Sequence, residues 1–406
     1  MLKIYVCGPT VYNEVHIGNL RPIITMDLVL KAARNLGKEF CFVHNITDVD
    51  DKIINEAIRQ NKSEKEITTI FTKSYLDILE KFNVDTVTHF EYVTENIKTI
   101  DKFINKIINS GFAYLDGNNV WFNVEKIKDK YGTVSGQKLE NMSFENLNHK
   151  KNYPADFALW KDTDKGVKFQ TSFAYGRPGW HSECVALIYK HFSDEGLDFH
   201  GGGMDLTFPH HENENIQFYA VTKNDLTKTW LRTGQINING EKMSKSLQNV
   251  FLAKDFIKQF PCDYFKFIIL FNGFTSIINI DENLINNIDH TYRKIKRIYF
   301  QHALLNDKNN EFNKKDFNLF MQAIFNRDFS LFNKMFNDLI KEINKTKNIT
   351  KYNLLINVFN SLKFDFCKID FFEFINIYNN WQTVLKDKDY YNADILRKKL
   401  LDEGLL

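Results

Sequence analysis

The chain has 406 residues, 43% of them hydrophobic and 26% charged, with a formal net charge of +2. This is an ordinary soluble globular composition with material for two or three domains, and the charge is too small to announce a nucleic-acid binder, although a local basic patch remains compatible with it. No apolar run reaches membrane-spanning length, and "MLKIYVCGPT" lacks the apolar stretch of a signal peptide. The five cysteines, Cys7, Cys41, Cys184, Cys262 and Cys367, are scattered, odd in number and free of any CxxC spacing. That argues against a disulfide framework and for a reducing, cytoplasmic setting.

In chain order, "LKIYVCG" reads as a short buried strand ending at glycine. "GNLRPIITMDLVLKAARNLGK" reads as a helix with Pro22 in its first turn and Gly37 at its C-terminal stop. "EFCFVHN" is a second β-rich run, so the opening pattern is a βαβ unit starting a parallel sheet. Ligands of such sheets bind where the strands end, which puts Cys7 to Gly18 and Asn45 to Asp51 at that edge. From about Glu64 the pattern turns helical, through "EKEITTIFTKSYLDILEKF" and "ENIKTIDKFINKIINSGF", then to short strands near "YLDGNNVWFNV". Strand signals resume at "GLDFHGGG" and "TGQINING", and the pattern beyond about residue 250 is helical. The Asn/Lys-rich "NDKNNEFNKKD" and "KEINKTKNITK" read as loops or helix ends. The expected division is 1–84 and 176–250 as two halves of one sheet domain, 85–175 as an insertion and 251–406 as a helical domain.

Three stretches carry chemistry. "VHIGN" (Val15 to Asn19) lies between the first strand and the first helix. Gly18 there lets backbone approach a phosphate, the helix N-terminus favours an anion, and His16 can donate to a phosphoryl oxygen; alone, the stretch reads more readily as a structural junction. "EKMSKS" (Glu241 to Ser246) is either a solvated basic turn or a lysine clamp on a polyphosphate. Together the two form a strong joint signal. In "FPHHENEN" (Phe208 to Asn215), His210 and Glu214 share a helical face and can grip one metal ion, with His211 and Glu212 expected to point elsewhere. One helix supplies only two ligands, however, and a solvated helix start is the plain alternative.

With HIGN and KMSKS as a pair, the sequence resembles class I aminoacyl-tRNA synthetases, and among them most nearly the cysteinyl-tRNA synthetase family. The resemblance rests on "YVCGPTVYNEVHIGN", "NITDVDDKI", "DFALWK", "GRPGWHSEC", "HGGGMDLTFPHHENE" and "EKMSKSLQN", dense from Leu2 to about Val250. It implies a Rossmann-type parallel-sheet catalytic domain with an insertion, plus a C-terminal α-helical tRNA- and anticodon-binding domain. It also implies ATP-dependent activation of L-cysteine, transfer to the 3′ end of tRNA(Cys), Mg2+ with the ATP, and one zinc ion. The implied zinc ligands are Cys7, Cys184, His210 and Glu214. Gly8, Thr47 and Trp180 are implied contacts of the substrate cysteine. His16, Gly18 and Asn19, with His200, Gly201, Gly202, Gly203 and Asp205, are implied around ATP. Lys242, Ser244 and Lys245 follow from the KMSKS loop, with His16, Asn19, Lys242 and Lys245 in catalytic roles. A monomer is expected.

Three departures stand out. Asn19 replaces the second histidine of HIGH, "NGF" (Asn272 to Phe274) stands where the family has "HYR", and the sequence stops at "DEGLL" without the family's Trp/Arg-containing tail. Anticodon reading is therefore expected to be weaker or done differently, and "HTYRKIKR" (His290 to Arg297) is a basic cluster able to meet phosphate. No catalytic motif follows Ser246, so the chain from about residue 290 onward is expected to be dispensable for adenylate formation. The rival readings are a ligase joining cysteine to glucosaminyl-inositol in mycothiol biosynthesis, and a non-catalytic paralogue that binds nucleic acid.

Overall fold

A computed structural model describes residues 1–144, 151–244, 249–306 and 310–406. Five parallel strands form its central sheet, in the order Thr227–Thr233, Leu197–Gly203, Leu2–Val6, Phe40–Ile46 and His89–Tyr92. The register pairs Ile4 with Phe42 on one side and with Phe199 on the other. The strand His89–Tyr92 joins this sheet from beyond residue 84. Its "HFEY" is short and half polar, as suits an edge strand.

Helix Ile17–Asn35 buries fourteen of its nineteen residues, including Leu20, Ile24, Leu28 and Ala32. It has no solvent stripe because it lies between the strand Leu197–Gly203 and the helix Lys314–Phe325. Buried on every side, it carries its charges only where they are met: Asp27 and Lys31 pair with each other. Pro22 sits in the second turn rather than the first, because the helix already begins at Ile17. The proline costs one backbone hydrogen bond, the one its own N–H would have given to the Gly18 carbonyl. The N-terminus is closed by a capping box, in which Asn19 Oδ1 accepts from the His16 N–H at 3.1 Å. Gly37 follows the helix with φ +72°, a left-handed stop that glycine takes without strain.

Between residues 113 and 178 a second, antiparallel sheet has the order Ala113–Asp116, Asn119–Phe122, Phe157–Lys161, Tyr175–Pro178, Phe169–Gln170. A third, small sheet places Ile236–Ile238 between Glu241–Lys242 and Ile278–Ile280. From Ala253 the chain is mostly helical to Asp402. These helices are cemented by aromatic rings: Phe267 stacks on Phe366 at 5.9 Å and 3°, with Phe359 edge-on to both. One buried apolar cluster runs from Ile4 through Leu28, Phe256, Phe320 and Phe359 to Leu405. The helical region is therefore not packed as a separate body, contrary to the expectation that it could be removed beyond residue 290. No helix among the described residues is long and apolar enough to cross a membrane.

Candidate active site and metal centre

The C-terminal edge of the parallel sheet collects the site. Cys7 directly follows Leu2–Val6, and Cys184 comes from the buried face of helix Trp180–Phe192. His210 and Glu214 come from the turn and helix after the strand Leu197–Gly203. The extended backbone of Phe208 (φ −138°, ψ 135°) interrupts "FPHHENEN", so the regular helix starts at Glu212, yet His210 and Glu214 still share a face.

The four donor atoms lie within 4.8 Å of one another. Cys7 Sγ is 3.5 Å from His210 Nε2 and 3.8 Å from Glu214 Oε1; Cys184 Sγ is 3.7 Å from His210 Nε2; His210 Nε2 is 3.2 Å from Glu214 Oε1. A tetrahedral ion with bonds of ~2.0–2.3 Å would set such atoms ~3.3–3.8 Å apart, and these four separations fall close to that range. His210 and Glu214 are buried, as is Cys184. Electrostatics agree. Burial pushes the Cys7 thiol up, while hydrogen bonding from Cys7, and then His210, pulls Cys184 down to about 6. Burial alone would lower His210, but the charges of Glu214 and Cys184 hold it at about 10. The cluster thus keeps a proton on His210, which a divalent cation at the same point would displace.

A second donor set, Cys7, His200, His211 and Glu214, meets the same distance limit. Hydrogen bonding decides against it. Arg232 Nε lies 3.4 Å from His211 Nδ1 and can only donate, so the neutral ring carries its proton on Nε2, 3.9 Å from Cys7 Sγ. That nitrogen can donate to a thiolate but offers no lone pair. His210 is the reverse case. Burial keeps His181 neutral, and its Nδ1 lies 3.0 Å from His210 Nδ1, so His181 can accept there and leave His210 Nε2 to face the thiols.

His211 therefore belongs to the site, against the expectation that it points away. The cause is the tight passage of Gly202, where an added Cβ would come 3.0 Å from the His211 ring. Glu212 does point elsewhere, accepting from the Val134 and Ser135 N–H groups at 3.1 and 2.8 Å. His200 is fully buried, with Nε2 3.0 Å from Glu214 Oε2 and its ring on Trp230 at 4.7 Å. Its side chain backs Glu214 and presents no open face to a nucleotide.

Trp180 is 38% exposed, and its ring covers His210 at 4.3 Å, at the mouth of the cluster. Gly8 N–H donates to Asn45 Oδ1 at 2.7 Å, and a Cβ there would overlap the Asn45 carbonyl at 1.6 Å, so close backbone approach requires glycine. Thr47 is buried, accepting from Asn45 Nδ2 at 3.1 Å and donating to Glu183 Oε2 at 3.2 Å. Burial raises Glu183 well above the ordinary carboxyl range. Asn45, Glu183 and His181 escaped the sequence reading, although "GWHSEC" and the end of the second strand held them.

The phosphate-side segments also meet. Val15 to Ile17 pairs with Phe251 to Ala253, through Ile17 N–H to Phe251 O at 3.1 Å and Ala253 N–H to Val15 O at 2.9 Å. Met243 Cε would come 3.0 Å from a Cβ on Gly18. Asn249 ties the loop ends, its Oδ1 accepting from Ser244 N–H at 2.8 Å and its Nδ2 donating to Lys242 O at 3.1 Å. Lys242 is exposed, and Lys245 lies outside the described residues. Gly201 packs against Val6 and Met26, whereas Gly203 and the exposed Asp205 form the outer rim. Asn19 is exposed and spends its side-chain oxygen on the helix cap.

The family described as "tRNA synthetases class I (C) catalytic domain" matches residues 1–290. The "Cysteine--tRNA ligase" of Mesomycoplasma hyopneumoniae strain 232 is 43% identical over 404 residues, covering 98% of this chain and 96% of that one. The chain belongs to the cysteine–tRNA ligase family. The "Cysteine--tRNA ligase" of Malacoplasma penetrans agrees, at 40% identity over 432 residues, with 100% and 95% covered. Solved structures support the fold of this cysteine–tRNA ligase family member. Methionyl-tRNA synthetase of Mycobacterium tuberculosis, in complex with methionyl-adenylate, superposes with TM-score 0.64 at 14% identity, covering 89% of this chain and 90% of that one. The ternary LeuRS complex from Agrobacterium radiobacter K84 gives 0.67 at 7% identity, covering 89% and 84%.

Proposed function

We propose that the chain activates L-cysteine with Mg-ATP and transfers it to the 3′ end of tRNA(Cys). The observation that carries this is the convergence of two thiols, an imidazole and a carboxylate at the edge of the sheet whose first helix, carrying HIGN, is bonded at its start to Phe251 and Ala253. In the first step the cysteine carboxylate attacks the α-phosphate of ATP, and pyrophosphate leaves. In the second, the terminal ribose hydroxyl of tRNA attacks the adenylate carbonyl, loses its proton, and breaks the bond to phosphate so that AMP leaves. His16, the N-terminus of helix Ile17–Asn35, Lys242 and Lys245 position the phosphates and meet their developing charge. Gly201 to Gly203 and Asp205 offer the adenosine rim, and Trp180 with Gly8 and the Asn45–Thr47–Glu183 chain walls the amino-acid pocket.

Cys7, Cys184, His210 and Glu214 would hold zinc, which when bound supplies a soft Lewis acid that selects a thiolate over a hydroxyl. His211 donates toward Cys7, and His181 fixes the ring of His210. In this reading the protein is a cytoplasmic monomer. Residues 1–84 and 176–250 carry catalysis with the strand His89–Tyr92, 85–175 is otherwise an insertion, and 251–406 meets tRNA. On "HTYRKIKR", Arg293 is engaged by Asp289 and Lys296 by Glu403, leaving Lys294 and Arg297 exposed for phosphate.

Pyrophosphate exchange with each amino acid, followed by transfer assays, tests the reading. Exchange with cysteine and transfer to tRNA(Cys) is the expected result. Transfer only to glucosaminyl-inositol, or no exchange with any amino acid, overturns it.

A further inference from the structure

Arg21 lies one turn into helix Ile17–Asn35 and is 2% exposed, and no carboxylate pairs with it among the described residues. Its guanidinium is met by five backbone carbonyls. Nη1 donates to Gly234 O at 2.7 Å, Gln235 O at 3.1 Å and Ser276 O at 2.8 Å; Nη2 donates to Gly273 O and Phe274 O, both at 3.1 Å. The carbonyls belong to two separate segments, and each leads into a strand of the small sheet, Ile236–Ile238 or Ile278–Ile280. The segments approach so closely that a Cβ on Gly234 would stand 2.2 Å from Ser276 O and 2.5 Å from Thr275 O. Carbonyl dipoles turned toward one point repel each other, and the four N–H groups on Nη1 and Nη2 of a buried planar cation, one of them shared between two carbonyls, meet all five.

The middle strand of this sheet, Ile236–Ile238, turns back into Glu241–Lys242 and so launches the loop that begins at Met243. The far end of that loop, Phe251 to Ala253, is bonded to Val15 and Ile17. Both ends of the loop are thus tied to one helix N-terminus, the outgoing end through Arg21 and the returning end through backbone pairing. "NGF" finds its place here as well: Gly273 and Phe274 are held by their carbonyls rather than by their side chains.

We propose that Arg21 is a positioning residue that sets the Glu241–Ser244 segment against the helix N-terminus bearing His16, fixing where Lys242 stands to meet ATP phosphates. The proposal rests on reading the loop as the phosphate clamp. Lysine at position 21 keeps the charge, but its single ammonium cannot span both carbonyl segments. A displacement of about 1 Å at a catalytic group costs up to about 100-fold in rate.

The test is single-turnover adenylate formation by Arg21→Lys and Arg21→Gln, alongside cysteine KM, zinc content and amide exchange over 234–252. The expected result is a ~10–100-fold slower adenylate step, with cysteine KM and zinc content as in the parent and faster exchange at 236–243. Folded Arg21→Lys that forms adenylate at the parent rate overturns the proposal, as does a parallel loss of cysteine affinity and rate. If Arg21→Lys fails to fold, the same comparison is made on Arg21→Gln, and a parent-like rate there overturns it equally. Lys245→Ala serves as the separate control: an unimpaired adenylate rate in that variant sinks the clamp reading itself, whatever Arg21 does.

Discussion

Two regions bury charged side chains, and they do so in opposite ways. In the helical region Asp263 and Lys266 are both essentially inaccessible, and every oxygen and nitrogen has a protein partner. Asp263 accepts from the Asp365 and Phe366 N–H groups at 2.8 and 2.9 Å, and Lys266 Nζ donates to Lys363 O at 2.7 Å while standing 3.6 Å from Asp263. At the sheet edge, Glu214 Oε2 and both ring nitrogens of His200 are buried without a well-oriented hydrogen bond among the described residues, although Glu214 and His200 approach to 3.0 Å. Donors there crowd around one point, and their mutual contacts leave these atoms unmet. The first arrangement is closed within the polypeptide, while the second leaves buried polar atoms unmet, as the proposed zinc site would require.

The largest effect expected from testing this contrast comes from truncation. Phe317, Phe320, Met321 and Ile324 share one core with Ile4 and Leu28, so removing the chain beyond residue 290 uncovers helix Ile17–Asn35. Each large buried side chain lost costs about 2–5 kcal/mol, against a net stability of about 5–15 kcal/mol. The truncated chain should therefore not fold, as seen by circular dichroism, and should form no adenylate. A folded fragment that activates cysteine would break the continuous-core account.

Next in size is the metal cluster. Cys184→Ser or Glu214→Ala should purify with little zinc and show a sharply raised cysteine KM. Selectivity over serine of about 10⁴, worth about 5.5 kcal/mol, should collapse. Metal content and exchange assays with both amino acids read this out, and a zinc-free parent protein that still rejects serine strongly would refute it.

The helical pair should behave differently. Asp263→Ala leaves Lys266 buried and unpaired, at about 3–5 kcal/mol, whereas a well-packed apolar replacement of both residues should come close to neutral. Urea midpoints measure both variants, and zinc content should not move in either. An equal loss in the single and double variants would contradict the comparison.

The smallest effect sharpens it from within the sheet. His44 is buried yet satisfied, with Nδ1 2.8 Å from Val6 O and Nε2 2.8 Å from Tyr75 OH, and burial lowers it to about 4. The unfolded chain titrates near 6.5 and so binds the extra proton first. Stability is then complete above pH ~6.5 and falls as pH drops toward 4, by at most about 3 kcal/mol. Denaturant titrations across that window should show a shallower fall for His44→Gln than for the parent. Parallel curves would remove His44 as the cause.

Much of this was legible before any coordinates. "LKIYV" and "FCFVHNI" are runs of β-formers bounded by a helix with a clear stop at Gly37, so the parallel sheet followed from local chemistry. The strand "HFEY" did not, because its pairing is decided by its neighbour and not by its own composition. Cys7 and Cys184 lie far apart in sequence and meet only through the fold, so their partnership came from family resemblance alone. His211 was misread because helical spacing describes one helix, and its direction is set by Gly202 and Arg232 on other elements. Arg21 gave no sign at all: an arginine in the second turn of a helix looks solvated until five carbonyls from residues 234–276 surround it.

The fully covered helix Ile17–Asn35 also has a consequence in time. A ribosome releases it early, but the helix that covers its outer face, Lys314–Phe325, is still unmade. Synthesis from residue 35 to residue 314, at roughly 5–20 residues per second, takes about 15–55 s. For that interval the apolar residues that this helix finally buries, Leu20, Ile24, Leu28 and Ala32 among them, lack one of their covering surfaces.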